Sequence, residues 1–230
     1  MSGILHMRGV RKTRDVGPRA RAVLQGVDLV VEPREIVLVE GPSGGGKTTL
    51  LSVAAGLLSP DAGEVSLAGT RIDALDARRR GRLRARSVGF VFQRANLLPG
   101  LTVLDNVVLA GAAAGMDRGV ATAAARALLE RLGIGEHAAR RVDVLSGGEE
   151  HRVGVARALV HGPRIVFADE PTGQLDSASG RAVARALGEQ ASQEGVAVVI
   201  ASHDSRLRPF ADRRLWMEDG RLRPTGGPDA

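Results

Sequence analysis

The sequence predicts an α/β fold in which a parallel sheet is covered by helices on both faces and carries an inserted helical subdomain. Three observations lead there. Short apolar, β-branched runs alternate with helical segments, the pattern of strands buried on both sides. One such run, Glu35–Val39, passes through a glycine-rich loop straight into a helix. From Arg94 to Val144 the chain carries almost continuous helix signal, rich in Ala and Leu, with breaks at Pro99-Gly100 and Gly133-Ile134-Gly135.

In chain order, Leu5–Val10 and Val23–Val31 read as strands, followed by Glu35–Val39. Thr48–Leu58 places Leu50, Leu51, Val53, Ala54, Leu57 and Leu58 at buried helical positions, and Ser59-Pro60-Asp61-Ala62-Gly63 stops it. Glu64–Ile72 is a strand and turn. Asp73–Arg86 holds a helical stretch whose Arg78, Arg79, Arg80, Arg82, Arg84 and Arg86 read as a solvated face, with anionic lipid and nucleic acid as rival uses. Val88–Phe92 is a strand ending at Gln93. After Ser146 a helix runs to about Val160, then a strand Arg164–Ala168, a helix from Ser177 to Gln193, and a strand Val196–Ala201. The expected organisation is one domain over residues 1–222, its helical subdomain at about 94–150, with a disordered Pro- and Gly-containing tail at 223–230. No internal repeat is visible.

Composition narrows the function classes. A chain of 230 residues with 43% hydrophobic residues can bury a real core. No run approaches the roughly 18 to 20 apolar residues of a membrane span, and Met1–Arg8 lacks the apolar stretch of a secretory signal, so a cytosolic chain is expected. The absence of cysteine excludes disulfides, thiolate metal sites and cysteine nucleophiles. The net charge of +6 is carried almost wholly by arginine, with aromatics at 2% and no tyrosine, which argues against base-stacking platforms for single-stranded nucleic acid. The only lysines are Lys12 and Lys47.

Lys47 lies in Gly41-Pro42-Ser43-Gly44-Gly45-Gly46-Lys47-Thr48-Thr49, a phosphate-binding loop pattern between strand and helix. Glycines let backbone N–H groups converge on phosphate oxygens, the helix start adds positive potential, Lys47 reaches the β- and γ-phosphates, and the Thr48 hydroxyl suits Mg²⁺. The apolar strand Arg164–Ala168 runs into Asp169-Glu170: Asp169 would hold Mg²⁺ through its water shell and Glu170 would polarise an attacking water, although such a pair is also common in surface turns. Gln93 and His203 stand at equivalent strand ends. In Leu145-Ser146-Gly147-Gly148-Glu149, Ser146 and Glu149 have capping-box spacing, which a well-capped helix alone explains. The same glycine-exposed helix start also offers N–H groups and a hydroxyl to phosphate. Since Gly41–Thr49 already has its own helix, two such surfaces suggest a head-to-tail dimer.

The loop Gly41–Thr49, Gln93, Leu145–Glu149, Asp169-Glu170-Pro171-Thr172-Gly173, Gln174-Leu175-Asp176 and His203, in this order and spacing, resemble the nucleotide-binding domain of ABC transporters over nearly the whole chain. Gly89–Val107 and Ala168–Asp176 look most like the macrolide-export and lipoprotein-release branch. The resemblance implies a P-loop NTPase core with a parallel sheet, an antiparallel β subdomain and the inserted helical subdomain. It also implies ATP and Mg²⁺ as cofactors and two domains sandwiching two ATP molecules. Gln93 would be a Mg²⁺ contact and permease sensor, Glu170 the base and His203 the γ-phosphate switch. The implied partner is an integral membrane permease, with the chain peripheral on the inner face of the cell membrane and no nucleic acid expected.

The chain departs from the family's pattern at several points. Glu149 replaces the usual Gln, bringing a carboxylate toward a triphosphate, so ATP-driven dimerisation should be weaker than in Glu149→Gln. No aromatic precedes Phe90 to stack on adenine, and Arg14 is the replacement by position, or else a solvated loop arginine. Arg34-Glu35 stands where Gly-Glu is usual. Two alternatives stay open: a nucleotide-gated regulatory module with slow or no turnover, and a soluble relative acting on nucleic acid or ribosomes, against which the missing second nucleotide domain and coiled-coil insertion argue.

Overall fold

The computed structural model describes residues 3–14, 21–173 and 175–225. Gln174 and residues 226–230 lie outside it. Two sheets organise the rest. The first is antiparallel, in the order β2 (Arg21–Val31), β1 (Leu5–Arg14), β4 (Ala62–Leu67), β5 (Thr70–Arg71). The second runs β10 (Arg221–Pro224), β9 (Arg213–Glu218), β3 (Ile36–Glu40), β8 (Ala197–Ala201), β7 (Ile165–Asp169), β6 (Val88–Val91). All its neighbouring pairs are parallel except β9 with β10.

The continuous apolar runs of β3, β7 and β8 follow from burial of both faces. Alternation assigns Val37, Val39, Ile165, Phe167 and Val199 to a core shared with the antiparallel sheet and α1 (Lys47–Ala54). Leu38, Val166, Val198 and Ile200 face a second core built with α3 (Val103–Ala114), α4 (Arg118–Arg131), α5 (Gly147–Leu159) and α6 (Ser177–Glu194). Each helix of that second core starts at a side-chain cap: Thr102, Asp117, Ser146 and Asp176. Because β3, β6, β7 and β8 are parallel, their C-terminal ends fall on one edge, with Val39 and Asp169 both in register with Ala201.

Several expectations shift. The helix expected to reach Leu58 ends at Ala54, because Gly56 takes a left-handed φ of 69° and turns the chain; Leu57 and Leu58 are 39% and 44% exposed. Arg223 and Pro224, expected in a disordered tail, belong instead to β10; the rest of that expectation, at 226–230, lies outside the described residues. The hairpin of β9 and β10 was not anticipated, although its signs are present: Leu215 and Met217 point inward, Trp216 points outward, and Asp219-Gly220 turns with φ of 47° and 71°. In α2 (Ala77–Ser87) no residue is buried, as a solvated arginine face requires, yet Arg80 donates to Ser59 Oγ and Arg84 to the Gly56 carbonyl at the end of the first helix. Among the described residues no helix is long and apolar enough to cross a membrane.

Candidate functional site

The loop after β3 borders a cavity of about 1120 Å³, lined by Ser43, Gly44, Gly46, Lys47, Thr48, Thr49, Gln93, Asp169 and Glu170, and also by Arg14 and Arg21. Lys47 is 9% exposed and its Nζ donates to the carbonyls of Gly41 (2.7 Å) and Pro42 (3.1 Å). An ammonium has three N–H groups, so one remains for an anion in the cavity. The glycines have a second duty beyond approach to a ligand. A Cβ on Gly41 would stand 2.0 Å from the Met217 carbonyl oxygen, and one on Gly46 would stand 2.7 Å from that of Val23. The loop is thus seated between β2 and the β9–β10 hairpin, where Gly220 N–H also donates to the Gly45 carbonyl.

Asp169 closes β7 and is buried. Burial pushes its carboxyl up, the neighbouring Glu170 charge adds to this, and a hydrogen bond from Thr48 and the charge of Lys47 pull it back down. Thr48, Gln93 and Asp169 supply a hydroxyl, an amide and one carboxylate, and among the described residues no group of three acidic or His side chains is assembled for a metal. An all-oxygen set with a single carboxylate fits Mg²⁺, which keeps waters and completes its shell with substrate phosphates.

Glu170 has a φ of 49°, a left-handed conformation uncommon outside glycine, and its N–H donates to the Ala201 carbonyl. Its carboxylate is held from both sides: Ser202 Oγ donates to Oε2 at 2.7 Å and His203 Nδ1 lies 2.8 Å from Oε1. His203 is exposed and does not itself line the cavity. A clamp braces the same strand ends: Thr172 Oγ1 donates to Asp204 Oδ2, and Arg206 pairs with Asp204 and donates to the Thr172 carbonyl. Ser202 and this clamp were missed from sequence; the position of Ser202, just before His203 at a strand end, is the signal that would have found it.

Ser146, Gly147, Gly148 and Glu149 do not line the cavity. Ser146 caps α5 in a full capping box: its N–H and hydroxyl donate to Glu149 Oε2 at 2.7 and 2.8 Å. Glu149 Oε1 lies 2.9 Å from His137 Nε2, a contact no local pattern announced. These bonds, those from Ser146 first and that from His137 next, draw the Glu149 carboxyl from 4.5 to about 2. The capping expected from sequence is thus present, and with His137 it largely satisfies the carboxylate within the subunit. Because the folded value is depressed, this group's contribution to stability is full above pH 4.5 and is lost as pH falls toward 2. Urea midpoints at pH 6 and pH 3 should accordingly differ less in Glu149→Gln than in the parent; an identical acid loss in both would show that the contact does not act this way.

Comparison with known proteins agrees with this geometry. A family model described as ABC transporter matches residues 24–173. The lipoprotein-releasing system ATP-binding protein LolD 2 of Caulobacter vibrioides is 44% identical over 219 residues, covering 95% of this chain and 96% of that protein. The macrolide export ATP-binding/permease protein MacB of Marinobacter nauticus is 40% identical over 95% of this chain but only 34% of its own length. A dimeric structure of the ATP-binding cassette MJ0796, in a post-hydrolysis state bound to ADP and Pi, superposes with a TM-score of 0.91 at 32% identity, covering 97% of this chain and 99% of that one. The family match over most of the chain, with relatives of this identity along nearly all of it, places this protein in the ABC transporter family.

Proposed function

We propose that this chain is the ATP-binding and hydrolysing subunit of an ABC transporter complex, peripheral on the inner face of the cell membrane. It powers a separate permease by closing head to tail with a second copy when ATP binds. The observation that carries the reading is spatial: Lys47, Thr48, Gln93, Asp169 and Glu170 share one cavity, while the capped helix start at Ser146 lies outside it. A second subunit turned head to tail brings that helix start over the first subunit's triphosphate, where its N–H groups and hydroxyl have an anion to bind.

In the closed site Lys47 holds the β- and γ-phosphates while remaining tied to Gly41 and Pro42. Mg²⁺, which Thr48, Gln93 and Asp169 would hold, supplies neutralisation of charge on the phosphate oxygens. Glu170 orients a water in line with the γ-phosphate and takes its proton, its carboxylate kept in place by Ser202 and His203. His203, bonded to Glu170 beside the cavity, would reach the γ-phosphate only in the closed dimer, as the group through which bound and spent nucleotide differ. Gln93 leads into a second cavity of about 470 Å³, lined in part by Arg94, Leu97, Val142, Gly147 and Glu150. A permease segment seated there would touch both the loop after Gln93 and the start of α5, linking nucleotide state to the membrane partner. In the MacB relative, named as ATP-binding and permease together, the matching segment is a third of the protein, whereas the LolD 2 relative is matched along 96% of its length.

The test is steady-state Mg²⁺-ATP hydrolysis across protein concentrations. A rate that rises more than linearly with enzyme supports the dimeric ATPase, and a strictly linear one removes dimer closure from the cycle. For the adenine, the Arg14 guanidinium at the cavity margin serves as the stacking surface. Arg14→Ala should weaken nucleotide binding about threefold by calorimetry, the scale of an exposed cation–π contact; unchanged affinity would return Arg14 to solvent.

A further inference from the structure

His137 is a buried histidine with one polar contact. It ends the 3-10 turn Gly135–His137 after α4, is 9% exposed, and meets Glu149 through Nε2, while its buried Nδ1 has no hydrogen-bond partner. An apolar side chain would fill that space without orphaning a ring nitrogen. The ring's polar function at this position is therefore its bond to Glu149.

The two oxygens of that carboxylate divide the work. Oε2 takes both the N–H and the hydroxyl of Ser146, and Oε1 takes His137 Nε2. A carboxylate only accepts, so the Ser146 hydroxyl hydrogen points at Glu149 and Nε2 carries the proton of the His137 contact. The imidazole thus fixes the rotation of the carboxylate and draws part of its charge away from the side that faces Ser146. If Ser146 must donate to a phosphate of the opposing subunit, its hydroxyl has to leave Glu149, and any charge left on Oε2 both competes for that hydrogen and repels the phosphate.

We propose that His137 is a positioning residue for the nucleotide-contacting start of α5: acting through Glu149, it sets where the Ser146 amide and hydroxyl point and offsets the carboxylate charge opposite the triphosphate. This rests on the head-to-tail reading above. It assigns to the turn after α4, far from the phosphate loop, control over how readily the dimer closes.

A double-mutant cycle on a Glu170→Gln background tests it, reading by sedimentation the ATP concentration needed for half-maximal dimer. His137→Ala should raise that concentration about three- to tenfold, the worth of a partly exposed charge-assisted bond, and Glu149→Gln should lower it. In the Glu149→Gln protein, His137→Ala should change it by less than about twofold. Equal effects of His137→Ala with and without Glu149→Gln, or no effect in either, overturn the proposal. A second readout needs no nucleotide: in the free chain, His137→Ala should speed hydrogen exchange at the Ser146 amide several-fold, and unchanged exchange overturns the positioning role. A parent protein that never dimerises with ATP overturns the head-to-tail reading and the nucleotide half of this proposal with it, whereas faster exchange would still leave His137 as the residue that holds Ser146.

Discussion

Glu170→Gln is expected to cut steady-state ATP hydrolysis by about a thousandfold while leaving ATP binding intact, because the amide keeps the carboxylate's shape but cannot take a proton from water. The substitution should fold normally. Ser202 Oγ can still donate to the amide oxygen, and the backbone at Glu170, with its left-handed φ of 49° and its N–H on the Ala201 carbonyl, is untouched. Phosphate release measures the loss, and sedimentation with ATP should reveal a dimer that persists because it no longer hydrolyses its way open. A variant with parental turnover would move the base elsewhere in the cavity. One that also loses ATP binding would make Glu170 structural, its role being to tie β7 to β8.

Lys47→Ala should weaken ATP binding about a hundredfold, the scale of one charge-assisted contact to phosphate lost in a partly buried site. The change removes the cation and also frees the Gly41 and Pro42 carbonyls that Nζ now holds, so the loop loses its internal tie together with its charge. Lys47→Arg should not restore binding: the planar guanidinium fork is larger than the pocket of two carbonyls that suits an ammonium, and this loop is already pressed against Met217 and Val23. Calorimetry with ATP reads the affinity, and the thermal midpoint of the nucleotide-free protein separates a binding defect from a folding one. Affinity within a few-fold of the parent would show that backbone N–H groups alone carry the phosphates.

The parts of the site that were legible in the sequence share a physical character. Gly41–Thr49, the strand ending in Asp169-Glu170, and the Ser146/Glu149 capping box are local, each specified within ten residues by loop geometry, strand burial or helix capping. Parallel order followed from alternation of helices and apolar strands, and with it the placing of Gln93, Asp169-Glu170 and His203 along one sheet edge. The resemblance to a known family added the assignment of roles to those positions.

Other contacts depended on how distant segments pack. Nothing within reach of Gly41 along the chain says that the Met217 carbonyl will lie against it, since that contact needs β9 to pair beside β3. Ser202 meets Glu170 because β8 is the neighbour of β7, and His137 meets Glu149 because the turn after α4 folds back on the start of α5. The glycine loop, the acidic strand end, the capped helix and the class of fold were readable along the chain, because each is encoded in neighbouring residues. The side chains that restrain Glu170 and Glu149, and the close contacts that leave Gly41 and Gly46 no room for a Cβ, emerged with the folded packing, because strand order and helix packing bring together groups far apart in the chain.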